Sequence, residues 1–558
     1  MKLYQGKNSS PVFFILLIFI SLLLISCENN SQARIEVPYT EAVNGVYFLA
    51  DKDVYQTNEV YVTESGKTEP RKISVLPAAP FQLTVSDYKV SPDKKWVAYL
   101  ITGGGTGNEL YIIPTIGGNP IYLAGNKLPD FTTPDFAIRD FQWSQDGKYL
   151  AYSLSSNVNG GHLYTIAMSN LTRNHVSQDI PNEVINISTG VNDFTWSPDG
   201  KFLAYRGTYI ALGKNIELFT VTADGTGRRK ISNAMNSSLA AGILDFQWSP
   251  DSKQLGLLAA YDNQTDSELY IVTLATNTHV QITNKNIQGR VLTASFPREN
   301  EHYSQVIQWS LDSQYFAYIA QLNNSNIDLY VATPTGLTNK NITNFPAGNS
   351  LIKVNNYSWS PSNNIIAYTA NETNSTKYEL YTVNFDGNNK TIVSGNLIDG
   401  GFVSSFRWSP SGVQLAYDAN QEVVSRFELY TVNTDGMNRV KVSGTPFYNN
   451  GGINWYNWSP DSRYLAFTPS FHDTQGIEVF TVNRSGVGLI QISGPMITNR
   501  NAGTFNWSQD SSYIVYIANQ ENENLWHAYR VPYNSNANQR ISGSTHNGKI
   551  IKDLKLLD

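Results

Sequence analysis

A phrase of about twelve residues recurs along most of this chain, and it constrains the fold more than any other feature. Each copy alternates an aromatic or large apolar residue, a polar residue and usually a tryptophan, continues with Ser-Pro-Asp-Gly or a close variant, and ends in a triplet like Leu-Ala-Tyr. The nine copies begin at Tyr88, Phe141, Phe194, Phe246, Ile307, Tyr357, Phe406, Tyr456 and Phe505. From Trp143 to Trp507 the steps between tryptophans are 53, 52, 61, 50, 49, 50 and 49 residues. A repeat of this length indicates an array of similar structural units.

The wording of each copy predicts two strands joined by a tight turn. An aromatic residue and a tryptophan two positions apart lie on one face of a strand. Pro, Asp and Gly then supply the backbone angles and the local hydrogen bond that a turn requires. Ser252, Ser313 and Ser462 replace the Gly in three copies, so the turn tolerates variation. The Leu-Ala-Tyr triplet continues as the second strand.

Two further strands follow in each repeat. About ten residues after the second strand comes a segment such as "SELYIVT" from Ser267 or "FELYTVN" from Phe427, often closed by Asp-Gly, a hairpin signal. A short fourth segment, such as "VQIT" from Val280, completes the unit. Aromatic residues form 12% of the chain and charged residues only 15%, which also favours strands over helices. Four antiparallel strands in about 50 residues predict a β-propeller blade.

The two ends of the repeat region predict how the array closes. Residues 45–76 match the second, third and fourth strands of a blade, and the tail, residues 548–557, falls where a first strand is due. Pairing of the two would leave no exposed edge. We therefore expect an all-β fold, a β-propeller of about ten four-stranded antiparallel blades in one ring. Two tandem propellers are the alternative, with their junction in the insert at residues 286–305.

These repeats resemble a known family. "FTWSPDGKFLAY" from Phe194 and "FELYTVNTDG" from Phe427 are similar to the WD40-like (PD40) repeats of TolB-like β-propeller proteins, which also occur in the propellers of prolyl-oligopeptidase-type enzymes. The resemblance covers roughly residues 45–558 and implies a periplasmic propeller. TolB carries an α/β domain ahead of its propeller, whereas a short tether precedes Gly45 here, so the TolB role does not transfer directly.

The N-terminus resembles the export signal of a bacterial lipoprotein. Lys2 and Lys7 precede a fifteen-residue apolar run from Val12 to Ser26, which is shorter than a membrane span. "LISC", ending at Cys27, resembles a lipobox and implies lipidation of that cysteine, which is the only one in the sequence. We expect a signal peptide at 1–26, a lipidated tether at 27–44 and the propeller at 45–558. Glu28 after the cysteine implies the outer membrane, facing the periplasm.

Several chemistries find no support in the sequence. Prolyl-oligopeptidase relatives carry a hydrolase domain with a Gly-x-Ser-x-Gly elbow after the propeller; no such elbow occurs here, which predicts that the chain is not a peptidase. The seven histidines have no metal-ligand spacing, and we expect no cofactor and no metal. A net charge of −6 gives no footprint for nucleic acid.

One pattern predicts a binding site. Asp140, Asp193 and Asp245 directly precede the first strand's aromatic residue in three consecutive repeats, and Arg407 is one of the polar residues between the two rings. If the first strands line the axis, these side chains meet at the channel mouth and could receive a cationic group, an extended peptide or a cation. The simpler interpretation is that polar groups there face channel water or bond to neighbouring blades.

Two functions follow from this sequence. The first is a non-enzymatic, lipid-anchored envelope protein that binds a protein or peptide partner, as a TolB-like scaffold. The alternative is a propeller-type envelope enzyme, a saccharide lyase or hydrolase, with a site assembled in the channel.

Overall fold

Antiparallel strands make up the regular structure of the chain. The computed structural model describes residues 38, 40–54, 56–103, 107–125, 136–156, 160–177, 190–208, 215–233, 242–261, 267–283, 289–292, 307–322, 326–346, 352–372, 377–444, 452–470, 476–494, 496, 500–522, 525–543 and 551–557. All 41 regular elements within these ranges are β-strands. The predicted all-β class is confirmed.

The strands fall into four sets, numbered here in chain order. The first strands of the units are β4 (Thr84–Val90), β8 (Phe136–Trp143), β12 (Gly190–Trp196), β16 (Gly242–Trp248), β20 and β21 (Gly289–Leu292 and Ile307–Trp309), β25 (Val354–Trp359), β29 (Val403–Trp408), β33 (Gly452–Trp458), β37 (Ala502–Trp507) and β41 (Ile551–Leu557). The second strands are β1 (Gly45–Ala50), β5 (Trp96–Thr102), β9 (Tyr149–Ser156), β13 (Phe202–Thr208), β17 (Gln254–Ala260), β22 (Phe316–Leu322), β26 (Ile365–Ala370), β30 (Gln414–Val423), β34 (Tyr464–Ser470) and β38 (Tyr513–Asn522). The third strands are β2 (Glu59–Glu64), β6 (Glu109–Pro114), β10 (Gly160–Ala167), β14 (Glu217–Thr222), β18 (Glu268–Thr273), β23 (Ile327–Ala332), β27 (Glu379–Asn384), β31 (Arg426–Asn433), β35 (Phe480–Asn483) and β39 (Leu525–Pro532). The fourth strands are β3 (Arg71–Lys72), β7 (Ile121–Ala124), β11 (Thr172–His175), β15 (Arg229–Lys230), β19 (Thr278–Gln281), β24 (Asn339–Asn341), β28 (Thr391–Ile392), β32 (Val440–Lys441), β36 (Ile490–Gln491) and β40 (Gln539–Arg540).

Within each unit the strands pair in the order first, second, third and fourth. Eight sheets contain one unit each, and one eight-stranded sheet contains two, so the described part of the chain holds ten units. The two units of the large sheet are joined by a parallel bridge between Gly161 and Gly190. The tail strand β41 pairs antiparallel with β1, from Gly45 opposite Leu557 to Ala50 opposite Ile551. The predicted pairing of the tail with the opening strands is therefore present.

Stacked rings connect the second and third strands inside the units. The aromatic residue of the Leu-Ala-Tyr triplet lies opposite the aromatic residue of the third strand, with ring centroids 5.1–5.8 Å apart in nine units. In the unit of β17 and β18, Leu257 takes the place of one ring opposite Tyr270. Such pairs stabilise a sheet beyond the area that they bury.

The repeated tryptophan joins each unit to the one before it. Its indole Nε1 donates a hydrogen bond of 2.9–3.4 Å to the backbone carbonyl of the polar residue between the two rings of the preceding copy. Seven tryptophans make this bond: Trp143, Trp196, Trp248, Trp359, Trp408, Trp458 and Trp507. Trp309, after the 61-residue step, is buried and its Nε1 has no partner in the described structure. Most of the insert at 286–305 lies outside the described residues.

The difference between Trp309 and the other tryptophans gives a matched test of the interunit bond. Trp359 and Trp309 are 8% and 7% exposed, so replacement of either by Phe removes a similar buried area. Trp359→Phe also leaves the Gln308 carbonyl without its 2.9 Å donor. We expect Trp359→Phe to lower the free energy of unfolding by about 1–2 kcal/mol more than Trp309→Phe. Urea unfolding followed by fluorescence measures both, and equal losses would contradict the role of the bond.

The Ser-Pro-Asp-Gly turn explains why serine can replace glycine. The fourth position has φ near +60 to +70°, both in Gly147, Gly200 and Gly412 and in Ser252, Ser313, Ser462 and Ser511. A non-glycine residue is unfavourable in this conformation. Each of the four serines offsets that cost, because its Oγ accepts a bond of 2.9–3.1 Å from a backbone N–H in the turn of the preceding unit.

Candidate functional site

The three carboxylates predicted at the channel mouth share one backbone feature. The strand register shifts immediately before Asp140, Asp193 and Asp245, as in a β-bulge. A bulge bends the strand and changes the direction of the following side chain. The same shift precedes Asp87. The sequence interpretation overlooked Asp87, although it too directly precedes the aromatic residue that opens a copy of the repeat.

Asp140 takes part in a bridge across three units. Its Oδ1 lies 3.0 Å from Nζ of Lys89, the polar residue between the rings of the preceding copy. Its Oδ2 accepts a 2.6 Å bond from Nε2 of Gln142, which also donates to the Phe194 carbonyl of the following unit. The charge of Asp140 is thus compensated within the chain.

Asp193 forms a forked ion pair with Arg206 on the neighbouring strand. Arg206 Nε donates to both carboxylate oxygens, at 2.8 and 3.1 Å, and its Nη2 also contacts Oδ2. The Nη1 of the same guanidinium donates to the Ile243 carbonyl at 3.2 Å and to the Leu244 carbonyl. A bidentate pair of this kind is both oriented and strong. It also joins this unit to the next one.

Asp245 and Asp87 bind their own backbone. Asp245 Oδ1 accepts a 2.8 Å bond from the N–H of Phe246, and Asp87 accepts the same bond from Tyr88. The four carboxylates therefore differ in their contacts even though their positions in the repeat are equivalent. The hypothesis that they receive a cationic ligand stays a prediction, and two of them have cationic partners inside the chain.

Arg407, the fourth predicted site residue, lies on β29, several units further along the chain. Its guanidinium stacks on Trp455, with Cζ 4.2 Å from the ring centroid, and lies 5.7 Å from the centroid of Tyr456. It lines a cavity of about 460 Å³. Arg407 therefore belongs to a different place in the fold from the three aspartates.

A buried cluster that the sequence did not reveal lies beside Arg407. Asp418 on β30 is 4% exposed and accepts a short hydrogen bond from Ser405 Oγ on β29. Ser405 Oγ is 2.8 Å from the hydroxyl of Tyr456, which is also buried. Burial raises the pKa of the Asp418 carboxyl to about 6 and that of Tyr456 well above its usual value. In β12 and β13 the acid lies on the first strand and its partner on the second; here that order is reversed, which was the available signal.

The described histidines do not assemble a metal site. His527 is buried, its Nδ1 lies 3.1 Å from Ser542 Oγ, and burial lowers its pKa. No group of three or more His, Cys, Asp or Glu residues could hold a metal ion in the described part of the chain. A search of the same residues also found no helix of sufficient length and apolarity to cross a membrane. Cys27 and the signal segment at 1–26 lie outside the described residues.

Comparison with known proteins relates the chain to dipeptidyl peptidases. Residues 221–346 match the family described as the dipeptidyl peptidase IV (DPP IV) N-terminal region. Dipeptidyl-peptidase 5 of Porphyromonas gingivalis is 30% identical over 182 residues, which are 30% of this chain and 23% of that protein. The chain thus spans about a quarter of the length of this curated relative.

Two solved structures share part of the architecture at low similarity. The crystal structure of Porphyromonas gingivalis dipeptidyl peptidase 4 has a TM-score of 0.45 at 12% identity, covering 78% of this chain and 66% of that chain. The structure of a eukaryotic initiation factor has a TM-score of 0.43 at 10% identity, covering 82% and 98%.

These matches correct the sequence-based family and function. The assignment to TolB-like proteins is wrong, because the matching family is that of the DPP IV N-terminal region and the curated relative is a dipeptidyl peptidase. The description as a non-enzymatic TolB-like lipoprotein of the outer membrane, the expectation that the chain is not an enzyme, and the saccharide-enzyme alternative are overturned with it. The location in the cell envelope and the binding partner stay predictions.

Proposed function

We propose that this chain works in peptide hydrolysis of the dipeptidyl-peptidase type, with its four-stranded sheets receiving the peptide. The match of residues 221–346 to the DPP IV N-terminal region carries the proposal. The 30% identity over 182 residues to dipeptidyl-peptidase 5 supports it independently of any single motif.

The chemistry of such a peptidase assigns separate tasks to separate parts. A serine peptidase needs a nucleophile, a base and an oxyanion hole. The sequence contains no Gly-x-Ser-x-Gly elbow, and the matched residues 221–346 belong to the repeat region. We therefore assign peptide binding and orientation to the described sheets, a task that raises the rate by holding the reacting groups in place.

We further propose that the ten units are the blades of one propeller ring. Two contacts support this arrangement. The tail strand β41 completes the sheet of β1, and one hydrophobic cluster contains residues of both β1 and β38, including Phe48 and Ile517. In addition, tryptophan bonds join consecutive units on both sides of the 61-residue step.

The test of the peptidase proposal is direct. The full chain is purified and incubated with a mixture of unmodified peptides, and the products are identified by mass spectrometry. We expect release of dipeptides, and loss of that release after treatment with a serine-directed fluorophosphonate. The same preparation unfolded by heat is the control. Absence of dipeptide release from the folded chain would overturn the proposal.

A further inference from the structure

The cavity beside Arg407 is built from equivalent positions of consecutive repeats. Its walls include the polar residues between the two rings of four first strands: Gln308 of β21, Ser358 of β25, Arg407 of β29 and Asn457 of β33. In the sequence these residues are 49 or 50 positions apart. The cavity has a volume of about 460 Å³, which lies in the range of small-ligand sites.

The charge of this cavity is positive. Among the described residues that line it, Arg407 alone is ionised at neutral pH, and the others are amides, hydroxyls, aromatic rings and prolines. The equivalent cation in an earlier repeat, Lys89, forms an ion pair with Asp140 at 3.0 Å. Asp418, the acid nearest in the chain to Arg407, is bound by Ser405 instead, and burial raises its pKa.

The surroundings of Arg407 prepare it for an anion. The 4.2 Å stacking on Trp455 uses the face of the guanidinium and orients it. Stacking consumes none of its five N–H donors, whose planar geometry matches a carboxylate. A site of this type gains affinity because less side-chain freedom is lost on binding.

A second lining residue offers a group for a peptide N–H. Asn356 contributes to the same cavity, and its Oδ1 is buried without a hydrogen-bond partner. An unmade hydrogen bond at a buried acceptor is costly. Rotation of the terminal amide is soft and would present this oxygen to a ligand. Gln308, by contrast, uses both ends of its amide, on the Tyr357 carbonyl at 3.2 Å and the Trp359 N–H at 3.4 Å.

We propose that this cavity is a subsite for the carboxylate group of a peptide, bound by the Arg407 guanidinium. The inference rests on the proposed function in that the ligand is a peptide. The carboxylate comes either from an acidic side chain or from the peptide's C-terminus, since both present the same group. This ligand is opposite in charge to the cationic ligand predicted for the three aspartates.

Direct binding tests the proposal and separates the two sources. Isothermal titration calorimetry on the full chain uses three N-acetylated tripeptides: trialanine with a free carboxylate, Ala-Glu-Ala amide, and trialanine amide, which has no carboxylate. We expect one or both of the charged peptides to bind at least tenfold more tightly than the neutral one. Preference for the first identifies the C-terminal carboxylate, and preference for the second identifies an acidic side chain. Equal affinity for all three would overturn the proposal.

A pair of matched variants locates the binding at Arg407. Arg407→Gln is expected to weaken carboxylate binding at least tenfold and to leave the neutral peptide unchanged. Arg463→Gln removes the same charge from a side chain that is 73% exposed on a turn, and it should have no effect. Circular dichroism verifies that both variants are folded. Unchanged binding in folded Arg407→Gln would overturn the subsite, whereas Arg407-dependent binding without any dipeptide release would overturn the peptidase proposal alone.

Discussion

Deletion of residues 551–557 is expected to remove most of the stability of the protein. The strand β41 covers the edge of β1, and Ile551 and Leu554 are 4% and 3% exposed. Burial of each such side chain contributes about 1.5–3 kcal/mol, and the hydrogen bonds of the β1 edge are lost in addition. A loss above about 5 kcal/mol is comparable with the net stability of a whole domain. The uncovered edge should also promote self-association.

The tail also connects parts of the chain that are far apart in sequence. The Leu554 carbonyl accepts a 3.3 Å bond from Asn506 Nδ2, and Lys555 Nζ donates a 2.8 Å bond to the Tyr88 carbonyl. Urea unfolding and sedimentation velocity of the deletion variant measure stability and association. An unchanged urea midpoint would show that β41 does not hold these units together.

A graded pair of substitutions protects this experiment against a variant that fails to fold. Leu554→Ala removes a buried side chain and is expected to cost about 2–4 kcal/mol of unfolding free energy. Leu556, on the same strand, is only partly buried, so Leu556→Ala should cost clearly less. Equal losses at the two positions would contradict the assigned register of the tail.

Asp418→Asn is expected to stabilise the protein at pH 7.5 and not at pH 3.5. Burial raises the pKa of Asp418 from its usual 3.8 to about 6. Because the folded-state pKa lies above the unfolded one, the contribution of the protonated acid is complete below pH 3.8 and is lost as the pH rises through about 6. Asn accepts the Ser405 bond without ionising. The stability difference between variant and wild type should therefore grow by about 3 kcal/mol over this range.

An acid with the opposite shift provides the control. Asp399 is 99% exposed, and a hydrogen bond from Lys377 lowers the pKa of its carboxyl. Asp399→Asn should therefore lose a small amount of stability at pH 7.5 and gain none. Urea midpoints of wild type and both variants at pH 3.5, 5 and 7.5 give the comparison. A difference for Asp418→Asn that does not change with pH would mean that Asp418 is not a buried, titrating acid.

The strands and turns could be predicted from the sequence because their causes are local. Alternating rings determine which face of a strand is buried, and Ser-Pro-Asp-Gly fixes a turn, so every repeat predicted its own four strands. The pairing of the tail was also predictable, since Gly45 begins a second strand that has no first strand before it. The identity of the serines in the turns is partly local, but their bonds to the preceding unit are not.

The wrong family followed from the same strength of the repeat. The phrase reports strands and turns, which several classes of protein share, and it carries no information on chemistry. The relation to dipeptidyl peptidases rests on similarity spread over residues 221–346, beyond any single copy of the phrase. The excluded peptidase activity had depended on one missing motif.

The sequence by itself determined the all-β class, the four strands of each unit and the polar character of the residue between the rings. Packing decided what those polar residues do, because their neighbours come from repeats about 50 positions away. Lys89 thus forms an ion pair with Asp140, whereas Arg407 stacks on Trp455 and lines a cavity. Local preference sets where a strand lies, but burial, ion pairing and ligand access depend on distances between units, which only the tertiary structure specifies.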